Sequence, residues 1–489
     1  MLPSILTTVA IAAQFDYDIF GADSTQAFLQ PDIPSHMKGK IFVKLPKDID
    51  IEGFQPGEIR ELLKLIYGTK QSAKVWHDFI TSVILEYKNE QGKRFSQSKK
   101  DLCVFYLGTG IPELILIIMI DDIMAVGTRE SWTEFFEYLK TKVKVTGGGL
   151  ITVWNGLEIE KTEGGYTVSQ SKQLEIMTRQ VEIEFGLNLG EEIHTPENSS
   201  STQQSSKKNM QNENSIDLTT VRRFQQILGK VIYITSRSRP DAAHAANRLG
   251  QVAHRASEEN MKALNRLVGY LSCHPNKKLR FKKGAAITVV AFADASFANE
   301  EFFPQDMDLG MKSTSGVLIV MNGAAVSWKS KLQSVVADST GYAETIAAHE
   351  AIKELHYLKA FLEEINIRID PVPLMLDARN TVSNLTHNNS YKQSGVKFHD
   401  LKVSAGYQYV KSGLVHPILI PSSEDIADVL TKSNCGSQAK FLDAFQRFFG
   451  SADYEVWITE MIRRNFKNAL SDKVPDVEAY IAQWLTNCR

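Results

Sequence analysis

The chain has 489 residues, of which 43% are hydrophobic and 23% are charged, which is typical of a folded protein with roughly two to four domains. Lysine and arginine (55) nearly balance aspartate and glutamate (57), so the net charge of −2 does not by itself indicate a polyanion-binding protein. Cys103, Cys273, Cys435 and Cys488 form no CxxC pair, which argues against a disulfide framework and against a zinc site.

The first predicted element is an apolar helix at residues 1–13. It is similar to the hydrophobic part of a signal peptide, but the first lysine is Lys38, so the positively charged segment of such a peptide is lacking. We therefore predict no secretion, and a core helix whose preceding context has been lost. No apolar run reaches transmembrane length, so we predict no membrane partner.

Two adjacent carboxylates lie at the tip of a predicted hairpin. The apolar run 114–120 leads into Asp121 and Asp122, and residues 123–127 resume the apolar pattern, which predicts two strands joined by a tight turn. Carboxylates in such a setting are costly unless something binds them, and divalent cations take oxygen ligands. With Asp23, they would form a three-carboxylate cluster of the kind that nucleotide polymerases use. A solvated turn is the alternative for Asp121 and Asp122 alone.

The second half of the chain begins with a polar segment. Residues 197–217 are rich in Ser, Asn, Gln and Lys, which predicts a loop or disordered linker. Helical periodicity follows, for example at 263–271, and a strand at 287–292 opens a second α/β block. The stretch Lys277–Lys283 contains five cations that could follow a phosphate backbone. A solvated face is the preferred alternative for this cluster.

Seven segments in chain order resemble motifs of the copia-type LTR retrotransposon polyprotein, over about residues 5–450. They are ADSTQAFL at 22–29 (first palm motif), LIYGTKQSAKVW at 65–76 (LYGLKQAPRxW), MIDD at 119–122 (YVDD), WNGLEI at 154–159 (FLGIEI), SRPD at 238–241 (TRPD), KSTSG at 312–316 (RKSTSG) and ADVLTK at 427–432 (ADxLTK). The chain departs from the family at Met119, where the family has tyrosine, and at Ala73, where it has proline.

The resemblance implies a multidomain fold of α+β and α/β structure. It comprises a right-hand polymerase palm and thumb with the fingers largely missing, a connection segment and a ribonuclease H-like α/β domain. The predicted ranges are the reverse transcriptase palm with partial fingers at 1–130, a thumb-like region with the primer grip at 131–196, a disordered linker at 197–217, the connection segment at 218–284, the ribonuclease H-like domain at 285–435 and a helical C-terminal tail at 436–489.

The resemblance also implies an RNA-directed DNA polymerase, a nucleotidyltransferase that works by two-metal phosphoryl transfer with two Mg²⁺ per active site. Asp23, Asp121 and Asp122 would be catalytic and hold the metal ions, and Phe28 would exclude the ribose 2′-hydroxyl. Lys70 and Gln71 would contact the template or the incoming nucleotide. The primer grip would consist of Trp154, Asn155 and Gly156, although a partly buried core aromatic is the competing interpretation of Trp154.

The last block is expected to be a ribonuclease H endonuclease with a second pair of Mg²⁺. In the family, four carboxylates hold these ions, and they match Asp294, Glu344, Asp377 and Asp428 here. Their predicted places at strand ends and helix starts would let them converge above a sheet edge. The substrate would be RNA in an RNA–DNA hybrid, distinguished by its 2′-hydroxyl and groove shape.

The implied partners are an RNA template, a DNA primer, RNA–DNA hybrid and dNTPs, with other products of the same polyprotein as further candidates. The expected location is cytoplasmic, in a virus-like particle if the element is intact, with the nucleus as an alternative. Because the family's triphosphate-binding fingers are predicted to be truncated, a catalytically impaired remnant that only binds nucleic acid is the alternative function.

Overall fold

The structure is a computed structural model that describes residues 2–48, 52–185, 193–197, 218–284, 288–298, 311–369, 371–387, 397–433, 444, 446–450, 454–466 and 477–487. The chain folds into two compact units, one formed by residues 17–155 and the other by residues 1–16 together with 156–489. Both units combine helices with β-sheets, which confirms a mixed multidomain α/β class. The six predicted ranges stay predictions, and residues 198–217 of the predicted linker lie outside the described residues.

The unit of residues 17–155 is built on a six-stranded antiparallel sheet. Its elements are β1 Asp18–Ser24, β2 Phe42–Lys44, β3 Ile59–Glu61, α2 Ser72–Glu86, β4 Phe95–Gln97, β5 Val104–Leu107, β6 Leu114–Met119, β7 Asp122–Gly127, α3 Arg129–Lys142, β8 Val145–Leu150 and β9 Val153–Trp154, numbered after α1 Leu2–Phe15. The sheet order is β4-β5-β6-β7-β1-β8, and β2 pairs with β3 separately. The predicted hairpin is confirmed as β6 and β7, the apolar centre of this sheet.

The core of this unit lies where α2 and α3 cover the sheet. Trp76 and Ile80 of α2 and Trp132 and Phe135 of α3 belong to one buried cluster with side chains of β5, β6 and β7. Thr128 caps α3 by accepting a hydrogen bond from the Ser131 N–H. Because the apolar residues of both helices recur at helical spacing, each helix buries one face against the sheet.

The second unit begins with α1, the apolar helix predicted from residues 1–13. Its residues 4–13 are buried, and it packs against strands β11 Gly165–Ser169, β12 Leu279–Lys282 and β15 Ala324–Leu332 of the same unit. β11 pairs antiparallel with β12 and with β10 Leu157–Thr162. The core-helix prediction is therefore confirmed. None of the helices in the described part of the chain is long and apolar enough to cross a bilayer.

Four helices occupy the middle of this unit: α4 Ser171–Phe185, α5 Leu218–Thr235, α6 Ala243–Gln251 and α7 Glu258–Cys273. The SRPD segment stabilises them through a buried ion pair, since the Arg239 guanidinium lies 2.8 Å from the Asp241 carboxylate and the Tyr270 hydroxyl donates to the same carboxylate at 2.6 Å. Both charges are at most 2% exposed. Removing one partner would leave the other charge buried and unpaired, so this motif has a structural role.

A five-stranded sheet forms the rest of the unit. Its strands are β13 Val289–Ser296, β14 Thr314–Met321, β15, β16 Val372–Leu376 and β17 Val415–Leu419, in the order β15-β14-β13-β16-β17. The helices are α8 Thr340–Glu363, α9 Arg379–His387, α10 Lys397–Lys411, α11 Tyr454–Asn465 and α12 Val477–Asn487. β13 runs antiparallel to β14 but parallel to β16, so the carboxyl ends of β13 and β16 lie at one edge of the sheet.

Candidate functional site

The β6–β7 hairpin carries the two adjacent carboxylates of the 17–155 unit. Met119 pairs with Asp122, so the two-residue turn consists of Ile120 and Asp121, one position earlier than the sequence suggests, and Asp122 is the first residue of β7. Ile120 has a φ of 57°, in the left-handed region that β-branched residues rarely adopt. The Trp76 indole N–H donates to the Ile120 carbonyl at 2.5 Å and fixes this strained turn.

Asp23 lies beside this turn. It pairs with Asp122 across β1 and β7, which places the two side chains on the same face of the sheet. The Ser24 N–H donates to the Asp121 carbonyl at 2.8 Å and brings Asp121 to the same place. Burial, followed by the charges of Asp121 and Asp23, raises the pKa of Asp122 above its usual range. The structure thus brings the three predicted polymerase carboxylates together at the end of the hairpin.

These carboxylates fit a divalent cation by donor chemistry, because all three offer oxygen ligands and the charges of Asp121 and Asp23 act on Asp122. Among the described residues, the tightest acidic cluster is in the other unit, where three carboxylate oxygens lie within 4.8 Å of one another. Asp23, Asp121 and Asp122 do not reach that spacing. Their convergence in this structure is therefore looser than that of the second cluster.

The predicted nucleotide-binding residues lie between Asp23 and Asp121 in the sequence. Phe28 is 7% exposed, and its ring packs 4.6 Å from the ring of Tyr67, measured between centroids. Lys70 and Gln71 are exposed immediately before α2. Their position leaves both side chains accessible to a ligand, whereas Phe28 is buried.

The predicted primer grip contains a buried aromatic. Trp154 is 5% exposed, and its indole N–H has no hydrogen-bond partner in the described structure. Asn155 and Gly156 both adopt positive φ values, 48° and 74°. A side chain at Gly156 would place its Cβ 2.2 Å from the Tyr233 hydroxyl, and the positive φ would strain any other residue there, so the position favours glycine. The burial of Trp154 favours a packing role for its ring, and its contact with a primer stays a prediction.

The second acidic cluster lies at the edge where β13 and β16 end. Oxygens of Asp294, Asp377 and Asp425 all lie within 4.8 Å of one another. Asp294 is in β13, Asp377 follows β16 and Asp425 caps the 3₁₀ turn Ile426–Leu430. The Thr431 hydroxyl donates to Asp294, and the Ser422 hydroxyl donates to Asp377 at 2.6 Å. The cluster therefore has supporting hydrogen bonds that orient two of its carboxylates.

Glu344 faces this cluster from the second turn of α8. Burial, followed by the charges of Asp294 and Asp377, raises the pKa of Glu344 to about 9. Its Oε2 is buried without a hydrogen-bond partner, as are Asp294 Oδ1 and Asp425 Oδ2. Buried carboxylate oxygens without a hydrogen-bond partner are costly, and a divalent cation would supply the partner that these oxygens lack.

Asp428, the fourth predicted ligand, is only 2% exposed but lies outside this trio. Its Oδ1 accepts a hydrogen bond from the Lys432 ammonium at 2.5 Å. The same ammonium lies 3.6 Å from Asp294 Oδ1, which is too long for a hydrogen bond. The structure thus brings Asp294, Glu344 and Asp377 together as predicted, adds Asp425, and places Asp428 in an ion pair.

Two cations of the basic stretch Lys277–Lys283 form ion pairs with acidic residues, and the other three line a cavity. Lys278 lies 2.5 Å from the Glu160 carboxylate, and Lys283 lies 2.6 Å from that of Asp16. Lys277, Arg280 and Lys282 line an open cavity of about 610 Å³. Two of the five cations are thus neutralised, which supports a solvated face for that part of the stretch.

Comparison with known proteins shows which proteins the chain is similar to. Residues 1–193 match the family described as reverse transcriptase (RNA-dependent DNA polymerase). Over 88% of its length, the chain is 24% identical to the retrovirus-related Pol polyprotein from transposon RE1 of Arabidopsis thaliana. Over the same share, it is 26% identical to that from transposon TNT 1-94 of Nicotiana tabacum. The chain is thus similar to Pol polyproteins of copia-type retrotransposons. It spans 27% and 31% of the length of these two relatives.

Two solved structures are similar at low identity. One is the foamy viral protease-reverse transcriptase in complex with RNA/DNA hybrid, with a TM-score of 0.47 and 11% identity over 84% of this chain and 45% of that chain. The other is LC11-RNase H1 isolated from compost, with a TM-score of 0.22 and 16% identity over 29% of this chain and 92% of that chain.

Two residues at the copia-type motifs carry roles that the sequence did not predict. Trp76 ends the LIYGTKQSAKVW segment, and its position in that motif was the only sequence signal for its contact with the β6–β7 hairpin. Asp425 precedes the ADVLTK segment by two residues, and a carboxylate before a short helical turn is a common capping pattern. Neither signal distinguishes a structural role from a role at the site.

Proposed function

We propose that the chain is the reverse transcriptase and ribonuclease H part of a copia-type retrotransposon polyprotein, and that it catalyses RNA-directed DNA synthesis and hydrolysis of RNA in RNA–DNA hybrids. One observation carries the proposal: in each unit, acidic side chains that are far apart in the sequence converge at one place on a sheet. Asp23 meets Asp122 in the first unit, and Asp294 meets Asp377 in the second. The family match of residues 1–193 supports the polymerase half.

For DNA synthesis, Asp23, Asp121 and Asp122 would hold two Mg²⁺. Bound there, the ions would supply Lewis-acid activation of the primer hydroxyl and neutralise the triphosphate of the incoming dNTP. The Trp76 hydrogen bond keeps Asp121 and Asp122 at the end of the hairpin. Phe28 would close the space beside the sugar 2′ position, and the exposed Lys70 and Gln71 would contact the RNA template or the nucleotide.

For RNA hydrolysis, Asp294, Glu344 and Asp377 would hold a second pair of Mg²⁺, which would supply an activated water for attack on the phosphodiester. Thr431 and Ser422 orient two of these carboxylates through hydrogen bonds. The sheet order β15-β14-β13-β16-β17 supports this half of the proposal, because it delivers Asp294 and Asp377 to one edge.

Two assays on the full chain test the proposal: primer extension on poly(rA)·oligo(dT), and cleavage of a labelled RNA–DNA hybrid, both with Mg²⁺. We expect Asp122→Asn to abolish synthesis and leave cleavage intact, and Asp294→Asn to do the reverse. Glu363→Gln is the matched control, since Glu363 lies at the far end of the helix that carries Glu344 and is exposed. It should leave both activities unchanged.

The alternative is a remnant that binds nucleic acid without catalysis, favoured by the cavity that Lys277, Arg280 and Lys282 line. Salt-dependent binding of hybrid by wild-type protein that shows neither activity would establish this alternative. Loss of both activities in either single variant would contradict two separate sites.

A further inference from the structure

The carboxylate cluster of the second unit contains an acidic residue that the copia-type motif does not specify. Asp425 is fully buried, and oxygens of Asp294, Asp377 and Asp425 lie within 4.8 Å of one another. Its Oδ1 accepts a hydrogen bond from the Ala427 N–H at 2.8 Å, whereas its buried Oδ2 has no partner in the described structure. One oxygen therefore fixes the side chain, and the other stays available to a ligand.

Asp428 is arranged differently, although it lies only one helical turn away. Its Oδ1 accepts from the Lys432 ammonium at 2.5 Å, and its backbone carbonyl accepts from the Lys432 N–H at 2.9 Å. The carboxylate is therefore already balanced by a cation from its own turn. A metal ligand at this position would have to give up that ion pair.

The turn that carries Asp425 is held from two sides. The Ser422 hydroxyl donates to Asp377 at 2.6 Å, which ties the turn to the cluster. On the other side, the Asn465 amide donates to Glu424 at 3.0 Å, and Arg464 lies 2.9 Å from the same carboxylate. Both residues belong to α11, in the C-terminal tail. The turn therefore positions the Asp425 carboxylate before any ligand arrives, as a rigid ligand shell requires.

We infer that Asp425, rather than Asp428, is the fourth metal-binding carboxylate of this site, and that Asp428 instead holds Lys432 beside Asp294. The inference rests on the proposed ribonuclease H function. The ligand is a divalent cation that prefers oxygen donors, such as Mg²⁺ or Mn²⁺. Asp425 supplies Oδ2 to it, and the Asp428–Lys432 pair is a positioning element.

Iron-directed cleavage of the polypeptide tests this inference with a readout other than activity. Fe²⁺ that replaces Mg²⁺ generates radicals with ascorbate and peroxide, and these cut the backbone near the bound ion. In the full-length wild type we expect cuts near residues 294, 377 and 425. Asp425→Asn should abolish these cuts, because it removes a direct ligand, whereas Asp428→Asn should weaken them by roughly tenfold, because it removes a residue that acts through a neighbour.

Thermal unfolding in the presence of EDTA tests whether the Asp425→Asn protein folds normally without bound metal. Asparagine at 425 keeps the acceptor for the Ala427 N–H but removes one charge from a crowded cluster, so the melting temperature of Asp425→Asn should be equal to or above that of the wild type. A lower melting temperature together with unchanged cuts would mean that Asp425 has only a structural role, and would overturn the inference. Loss of the cuts in Asp428→Asn but not in Asp425→Asn would also overturn it.

Hybrid cleavage by the same proteins separates the inference from the proposed function. If the wild type and Asp425→Asn cleave hybrid equally, the nuclease function stands and the assignment of Asp425 fails. If the wild type shows the local Fe²⁺ cuts, and Asp425→Asn loses them, but hybrid is not cleaved, the metal-site assignment stands and the nuclease function fails.

Discussion

Replacing Trp76 by phenylalanine should loosen the turn that carries Asp121 and Asp122. The indole N–H of Trp76 is 2.5 Å from the Ile120 carbonyl, and phenylalanine cannot donate this bond. Loss of one such hydrogen bond costs about 1 kcal/mol. The smaller ring also leaves space in a core where Trp76 is 2% exposed, which adds about 1 kcal/mol. We therefore expect Trp76→Phe to lower the free energy of unfolding by about 2 kcal/mol.

Two substitutions of Ile120 test whether the backbone of the same turn is strained. A left-handed backbone costs a β-branched residue roughly 1–2 kcal/mol, whereas glycine pays no steric penalty but loses roughly 0.5–1 kcal/mol in chain entropy. Ile120→Gly should therefore raise stability by up to about 1 kcal/mol. Ile120→Val keeps the β-branch and should change little, because the Ile120 side chain is 52% exposed.

Urea unfolding followed by far-UV circular dichroism measures these changes, and a Mg²⁺ titration of primer extension measures their effect on the site. Trp76→Phe should need several-fold more Mg²⁺ for half-maximal synthesis, because a loose turn no longer holds the carboxylates in place. A Trp76→Phe protein with wild-type stability would refute the role of this hydrogen bond. An Ile120→Gly protein that is less stable than Ile120→Val would refute the strain argument.

Three further predictions concern the second unit. Burial lowers the pKa of His416 to about 4, so the folded state favours the neutral imidazole. The free energy of unfolding should therefore fall by up to about 3 kcal/mol as the pH drops from 6.5 to 4. Urea unfolding at pH 7 and pH 5 measures this loss, which His416→Phe should abolish. Replacing Lys277, Arg280 and Lys282 by alanine should flatten the slope of log K for hybrid binding against log salt concentration by at most about three units. Replacing Lys278 and Lys283, which are paired with acidic residues, should change this slope by less than about one unit. Equal slopes for the two variants would contradict binding of the hybrid in this cavity. Asn465→Ala should destabilise the turn that carries Asp425 by roughly 1–3 kcal/mol and should increase proteolysis of that turn. Arg464→Ala removes an ion pair at the surface and should cost less than about 1 kcal/mol. Similar losses of stability in both variants would argue against a specific role for Asn465.

Patterns that are local in the sequence predicted the fold well. The apolar residues 1–13 predicted α1, and the apolar run interrupted by two acids predicted the β6–β7 hairpin. Placement of Asp294 and Asp377 at strand ends also followed from the sequence. In each case the residues that form the pattern are close together in the sequence, so hydrophobic periodicity is sufficient to predict the element.

Contacts between distant residues were not predictable in the same way. The sequence shows five cations at 277–283, but not that Glu160 and Asp16 neutralise two of them. Nor does it show that Trp76 reaches the Ile120 carbonyl, because this bond joins a helix to a hairpin. Such partners depend on the packing of whole elements, which hydrophobic periodicity does not specify.

The choice between Asp425 and Asp428 is the sharpest example. Both residues lie in one short turn, and motif matching selects Asp428 because it belongs to the ADVLTK segment. Lys432, which is in the same segment, neutralises Asp428 one helical turn later, a pairing that is typical of helices. In the described part of the chain, Asp425 Oδ2 has no hydrogen-bond partner, and Asp425 remains in the cluster with Asp294 and Asp377. A motif identifies the turn that supplies a ligand, whereas the charge balance within that turn determines which carboxylate is available.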